Sequence, residues 1–490
     1  MPNTLYIDGA WTTAQDGDTR DIHCPANGDL VATVDEASEA DTVAAIEAAR
    51  RAFDSGVWSS VPAAQRGALL TATAAAIRER KEEFARAESD DTGKRIVESR
   101  IDMDDIANCF DYFGRIADSE AGRVVDAGDP AVRAKIVYEP VGVCALITPW
   151  NYPLLQTAWK VAPALAAGNS FVLKPSELTP HTAILLMEVL DGLGLPAGVG
   201  NLVLGAGATA GAPLSTHRDV DLVSFTGGLV TGRHLMANAA ATVKKVALEL
   251  GGKNPNVVFA DADFDAALDN ALNGAFIHSG LVCSAGSRLI VEESIAPRFV
   301  DELVRRAQAI RLGGPYDERA QTGPLISAAH RDKVTAYVEA GVAEGARVRC
   351  GGRWGEGELE KGFYYLPTVI DQVHTGMSVV QDEGFGPVVT VETFTTEDEA
   401  VALANDTIYG LAGAVWTQDA GRSERIASRL RHGTIWINDF GPYLPQAEWG
   451  GFKQSGFGRE LGPTGLAEYL EAKHIYHNTE PAVTDWFAED

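Results

Sequence analysis

Cys144-Ala145-Leu146-Ile147-Thr148-Pro149-Trp150-Asn151-Tyr152-Pro153 opens the part of the chain whose alternation decides the fold. The short apolar run at Ala145–Ile147 is followed by a helical pattern from Leu154 to Leu165 and a second apolar run at Ser170–Leu173. A helix from Pro180 to Leu193, the run Asn201–Leu204, a helix from Thr209 to Thr216 and the run Leu222–Phe225 complete the series. Apolar runs too short to be helices, separated by helical stretches, predict a parallel sheet with helices on both faces. Sheets of this kind bind ligands beyond the carboxyl ends of their strands.

Those ends carry distinctive loops. The first is Thr148-Pro149-Trp150-Asn151 and the second Lys174-Pro175-Ser176-Glu177. The third holds Gly205, Gly207 and Gly211, and the fourth is Thr226-Gly227-Gly228 after Phe225. One glycine-rich turn is weak evidence of a nucleotide site, but four such loops at corresponding strand ends point to a dinucleotide. A carboxylate such as Glu177 can accept both hydroxyls of an adenosine ribose while the Lys174 ammonium donates to them. The same carboxylate repels a 2′-phosphate, which favours NAD over NADP. The bland alternative for the pair is a surface ion pair.

Downstream, the apolar run Val243–Leu248 ends at Glu249-Leu250-Gly251-Gly252-Lys253-Asn254. A carboxylate there is poorly placed for a solvated charge, and burial would raise its pKa toward the range of a general base. A second α/β series starts near Asn256. Within it, Gly280-Leu281-Val282-Cys283-Ser284-Ala285-Gly286 sets one cysteine among small residues, between a helix-like run (Phe264–Ser279) and a strand-like run (Leu289–Glu292). Small neighbours leave a thiol approachable, whereas a cysteine kept for packing more often sits among Leu, Ile and Val. Later stretches are Asp382-Glu383-Gly384-Phe385 before a strand at Val388–Phe394, and Trp449-Gly450-Gly451 leading to Gly458-Arg459-Glu460.

Upstream, helices are expected from Asp41 to Ala52, from Pro62 to Ala87 and from Ile96 to Ala117. Arg133–Val143 reads as an exposed hairpin turning at Pro140. A late strand at Glu471–Thr479 is a candidate to pair with it or with another subunit. The 490 residues carry a net charge of −27, and only 12 of the 41 basic residues are lysine. That balance argues against nucleic acid and anionic membrane surfaces. No apolar run is long enough to span a bilayer, and the start at Met1-Pro2 does not read as a signal peptide. Five scattered cysteines without a CxxC fit a reducing cytoplasm and neither a metal site nor a disulfide framework.

Taken together, Pro149-Trp150-Asn151, Lys174-Pro175-Ser176-Glu177, Phe225-Thr226-Gly227, Glu249 to Lys253, the Cys283 loop, Glu383 to Val388 and Ser455 to Glu460 resemble the aldehyde dehydrogenase superfamily, in the family's order and over almost the whole chain. The resemblance implies an α/β fold with a Rossmann-type NAD-binding domain (1–119 and 141–251), an α/β catalytic domain (252–450) and a small β oligomerisation arm (120–140 and 470–490) of a dimer or tetramer. It makes Cys283 the nucleophile, Asn151 with the Cys283 N–H the oxyanion hole, Glu249 the base, and Lys160 with Glu460 a proton path to solvent. The cofactor, NAD, would be held by Thr148, Pro149, Trp150, Lys174, Ser176, Glu177, Gly207, Gly211, Phe225, Thr226, Gly227, Gly228, Leu250, Glu383 and Phe385, with no metal. Three positions depart from the pattern: Gly228, Leu281 and Gly384 stand where Ser, Gln and Ile are frequent.

For the substrate, Tyr152, Trp159 and Trp449 are large aromatics that can converge on one funnel. Ring faces attract a cation that has no hydrogen-bond donors, so the trio suits a quaternary ammonium group. It matches the aromatic box of the subgroup that oxidises betaine aldehyde to glycine betaine. Ile277 falls where some relatives place a further aromatic. An ω-aminoaldehyde, such as 4-aminobutanal or 4-trimethylaminobutanal, is the alternative substrate. A CoA-acylating enzyme conflicts with the retained Glu249, and a non-catalytic binding protein with the intact Cys283, Glu249 and Asn151.

Overall fold

The computed structural model describes residues 3–119 and 122–487. Met1 and Pro2, and residues 120, 121 and 488–490 of the expected arm, lie outside the described residues. The first sheet has eight strands, in the order Gly456–Phe457, Lys245–Leu250, Leu222–Gly227, Val143–Ile147, Ser170–Lys174, Gly200–Leu202, Leu5–Ile7 and Ala10–Thr12. The run from Lys245–Leu250 to Gly200–Leu202 is parallel. Val143–Ile147 and Ser170–Lys174 are buried throughout, as strands covered on both faces must be. Sequence order along the sheet reverses between Val143–Ile147 and Leu222–Gly227. The loops after these two strands diverge there and open a crevice.

A second sheet of seven strands runs Arg347–Cys350, Thr368–Asp371, Val388–Phe394, Arg288–Glu292, Pro255–Val258, Ala412–Trp416 and Thr434–Ile437. The largest apolar cluster spans both halves. It joins Leu146, Leu165 and Leu248 to Ala412, Trp436 and Trp449, so the two sheets meet across packed side chains. The helix Pro153–Ala167 is buried at every residue, starts on a proline and stops at Gly168 in the left-handed region. It brings Trp159 and Lys160 into that junction.

Several expectations change. The stretch after Pro62 is two helices, Ala63–Glu79 and Lys81–Thr92, because Arg80 leaves helical geometry (φ −94°, ψ 19°) between them. The helix before Cys283 stops at Phe276. Glu249 lies inside the strand Lys245–Leu250 rather than after it. The segment 133–143 is not a hairpin. Val132–Pro140 belongs to a separate three-stranded sheet, and Val143 begins a central strand. Leu470–Asn478 pairs antiparallel with Val132–Pro140, as the late strand was expected to. Among the described residues no helix is long and apolar enough to cross a membrane.

Candidate active site

The crevice at the strand-order reversal is lined by Pro149 and Trp150 from one side, Thr226 to Gly228 from the other, and Cys283 and Glu249 at its floor. Farther along, the same Pro149, Trp150 and Thr226–Gly228 edges border Lys174, Ser176, Glu177, Gly207, Gly211 and Phe225. The two stretches share a rim and form one elongated trough, with a carboxylate–ammonium end and a thiol end.

Lys174 is almost fully buried. Its Nζ donates to the Pro175 carbonyl at 3.0 Å and lies 3.9 Å from Glu177. Burial lowers its proton affinity, and Glu177 and Glu36 partly restore it. Glu36 was not singled out from the sequence. It accepts a bidentate pair from Arg20 and the Ala206 N–H at 2.9 Å, and so fixes the start of the glycine-rich turn. Nothing in its local sequence marks it.

At the other end, Glu383 accepts the Gly252 N–H at 3.0 Å, and burial pushes its pKa up to about 7. Phe385 is held in the left-handed region (φ 54°), a strained state for an aromatic residue. Its carbonyl accepts a hydrogen bond from the ring of His330 at 2.6 Å, and the rings of Trp150, Phe385 and His330 pack edge to face.

The thiol loop is pinned from several directions. Asn254 donates to the carbonyls of Cys283 and Ala285 at 2.9 Å each and accepts from the Ala412 N–H. His278, Ser279 and Gly280 are all left-handed in sequence. Ser279 is held by Thr322 and Gly323. Gly280 permits no side chain, because a Cβ would lie 2.2 Å from the Gly386 carbonyl. Asn151 Nδ2 donates to the Leu281 carbonyl at 2.9 Å, which leaves its second amide hydrogen free. The His278 ring donates to the Asn151 backbone carbonyl at 2.9 Å. Burial, then Glu249 and Glu383, raise the Cys283 thiol, while the backbone N–H groups of Ser284 and Cys283 lower it.

Glu249 is buried. Oε2 accepts from Trp449 Nε1 at 2.8 Å, and Oε1 is buried without a partner. Burial and then the nearby Glu460 push its pKa up to about 8, against the pull of Lys160. Lys160 and Glu460 form a buried pair behind the strand that carries Glu249, with Lys160 also donating to Ser224 at 3.0 Å. They do not line the trough.

Of the three sequence-predicted aromatics, Trp159 and Trp449 meet (ring centroids 5.9 Å apart), and Tyr443 joins both at 5.2 and 6.5 Å. Tyr443 donates to Asp105 at 2.9 Å. Tyr443 was not singled out from the sequence. Tyr152 immediately precedes the helix Pro153–Ala167 that carries Trp159. One of its faces carries the Lys94 ammonium 4.0 Å from the ring centre.

The three departures have structural correlates. A Cβ at Gly228 would meet nothing within 4 Å, so the position is open space. Leu281 is fully buried with Leu325, Val334, Val338 and Val388, and anchors the thiol loop to the second half. A Cβ at Gly384 would lie 2.6 Å from the Tyr337 ring. That ring fills the space, with its hydroxyl accepting from Lys253 and donating to the Val379 carbonyl, both at 2.6 Å.

A thiol, an amide donor and a buried carboxylate with one free oxygen, set at one end of an elongated trough, can together add a nucleophile to a carbonyl, stabilise the oxyanion and hydrolyse a thioester. Known proteins agree with that chemistry. The betaine aldehyde dehydrogenase of Bacillus subtilis (strain 168) is 55% identical over 488 residues, 99% of this chain and 100% of that protein. The peroxisomal aminoaldehyde dehydrogenase 1 of Pisum sativum is 44% identical, over 99% of this chain and 97% of its own. The crystal structure of betaine aldehyde dehydrogenase from Staphylococcus aureus in complex with NAD+ superposes with a TM-score of 0.99 at 52% identity, covering 100% of this chain and 97% of that one. With the profile of the aldehyde dehydrogenase family matching residues 11–475, the thiol, amide and carboxylate of this crevice stand in a chain that belongs to the aldehyde dehydrogenase family.

Proposed function

We propose that the protein oxidises betaine aldehyde to glycine betaine with NAD. The observation that carries this reading is the packed trio Trp159, Tyr443 and Trp449, joined to Glu249 through the Trp449 N–H. A trimethylammonium group cannot donate hydrogen bonds, so ring faces suit it better than carboxylates alone. Asp105 behind Tyr443 adds negative charge on the same side.

The steps fall to the residues as follows. The Cys283 sulfur attacks the aldehyde carbon. The free Asn151 amide hydrogen and the Cys283 N–H take the negative charge that develops on oxygen. The bound oxidised nicotinamide ring supplies the acceptor for the hydride. Glu249 then takes a proton from the water that cleaves the thioester, and Lys160 with Glu460 stands behind it as a route for that proton. Lys174 and Glu177 hold the adenosine ribose, Ser176, Gly207, Gly211 and Phe225 line the adenosine end, and Glu383 holds the second ribose with Phe385 beside the ring. Thr148, Pro149, Trp150, Thr226, Gly227, Gly228 and Leu250 form the walls between.

The dinucleotide trough and the thiol loop support the division into an NAD-binding domain (1–119 and 141–251) and a catalytic domain (252–450). The exposed strand Leu470–Asn478 supports an oligomerisation arm (120–140 and 470–490) and a homo-oligomer. The unpaired cysteines support the cytoplasm.

A comparison of kcat/KM for betaine aldehyde, 4-aminobutanal and propanal tests the substrate. Betaine aldehyde is expected to lead. Equal values for propanal and betaine aldehyde would sink the cation pocket, and a lead for 4-aminobutanal would favour the aminoaldehyde reading that the Pisum sativum relative suggests. Trp159→Ala is expected to cost betaine aldehyde about 1–2 kcal/mol of binding, roughly 5- to 30-fold in KM, and propanal little.

A further inference from the structure

Trp449 does more than pack against Trp159 and Tyr443. Among the described residues its indole N–H is the only hydrogen-bond partner of the Glu249 carboxylate, at 2.8 Å, and the other carboxylate oxygen is buried and free. Its backbone is tied in both directions to Glu460, with N–H to carbonyl distances of 2.7 Å each way. Glu460 in turn pairs with Lys160, and Lys160 bonds Ser224. Ser224 lies on the strand Leu222–Gly227, which pairs in parallel register with the strand carrying Glu249. The contacts close a ring: Glu249, Trp449, Glu460, Lys160, Ser224 and back through the sheet.

We propose that Trp449 is a positioning residue for the base: its N–H holds Glu249 Oε2 so that Oε1 alone is presented to water, while its ring packs against Trp159 and Tyr443. The inference rests on the reading of Glu249 as the base. In the step concerned, water oxygen bonds to the thioester carbon, its proton passes to Glu249 Oε1, and the C–S bond breaks with its electron pair returning to the Cys283 sulfur. With Oε2 tied, the carboxylate keeps one orientation. Without the tie it can rotate, and Oε2 loses its fixed neighbour.

The groups facing Glu249 are Cys283 from the thiol loop, Glu460 and Arg459 from the returning segment, Lys160 from the helix below, and the Trp449 N–H. The N–H favours the charged carboxylate, so its removal raises the pKa and moves the acid limb of the pH–rate profile upward.

The test is Trp449→Phe, assayed with propanal, which has no ammonium group for the aromatic pocket to recognise. The expected result is an intact first-turnover burst of NADH with a steady-state rate at least about 10-fold lower, and an acid limb displaced to higher pH. Trp449→His, which keeps a ring N–H, is expected to recover part of both. Trp449→Phe with an unchanged burst-to-steady-state ratio and an unchanged acid limb would overturn the proposal. Loss of the burst as well would also overturn it, since the residue would then act on acylation. Glu249→Gln measured alongside separates the two ideas: full steady-state turnover there would defeat the base assignment itself, whereas a burst without turnover leaves the Trp449 result to decide.

Discussion

Cys283 and Glu249 each sit in surroundings that favour their neutral forms. The thiol is pushed up by burial and by two facing carboxylates, Glu249 and Glu383. Alkylation of Cys283 by iodoacetamide is therefore expected to accelerate steadily from pH 7 to pH 10, because only the thiolate reacts. A plateau near neutral pH would show a thiol activated by something beyond these groups. Glu249, pushed up to about 8, works as a base only when deprotonated, so kcat is expected to climb as pH rises through about 8 and to fall below it. An acid limb near the ordinary carboxylate range would show that Glu249 is better solvated during turnover than in this structure. Tyr152 shows how burial limits a residue's role. With Lys94 on one face, only its other face or its edge remains for a substrate cation.

At the scale of elements, the site depends on two loops meeting backbone to backbone. Gly280 lies against Gly386, so the thiol loop and the segment carrying Glu383 and Phe385 cannot move independently. The glycine at 384 belongs to this arrangement, since Tyr337 from the helix Ala328–Ala343 occupies the space of its missing side chain. Gly384→Ile is expected to destabilise the fold by about 1–3 kcal/mol through overpacking. It should also weaken NAD binding, read by quenching of protein fluorescence. Tyr337→Ala in the same chain should relieve much of the stability loss, and a double variant no better than the single one would break the link between the two positions. Leu281→Ala, at the base of the thiol loop, is expected to cost about 2–5 kcal/mol, seen as a lowered midpoint of urea unfolding.

For the molecule as a whole, the excess of negative charge and the exposed late strand dominate. A net charge of −27 repels itself across the surface, and salt screens that repulsion. Thermal stability is accordingly expected to rise with added sodium chloride up to about 1 M, where the Debye length falls to about 3 Å. A melting temperature that falls with salt would mean that surface ion pairs outweigh the repulsion. Leu470–Asn478 is an edge strand of its sheet, exposed along most of its length, with Ile475 and Tyr476 turned outward. Long exposed edges invite pairing with another chain. Replacing Ile475 and Tyr476 with lysine is expected to shift the protein toward monomer in sedimentation velocity.

The amino-acid sequence by itself determined the alternating strands and helices, the four loops at strand ends, and the thiol, amide and carboxylate of the site. Those features are written in local patterns: apolar period, turn residues, and motif order over short stretches. Helix ends and breaks were less legible, as at Arg80 and Phe276, because a chain reversal needs only one residue to leave helical geometry. Tertiary structure alone decided that Trp449 holds Glu249 across 200 positions, that Lys94 covers a face of Tyr152, that Tyr337 fills the space at Gly384, and that Glu36 fixes the glycine-rich turn at Ala206. Each joins segments far apart in the chain, and which side chains meet there is set by how whole elements pack, a relation that no local pattern of residues encodes.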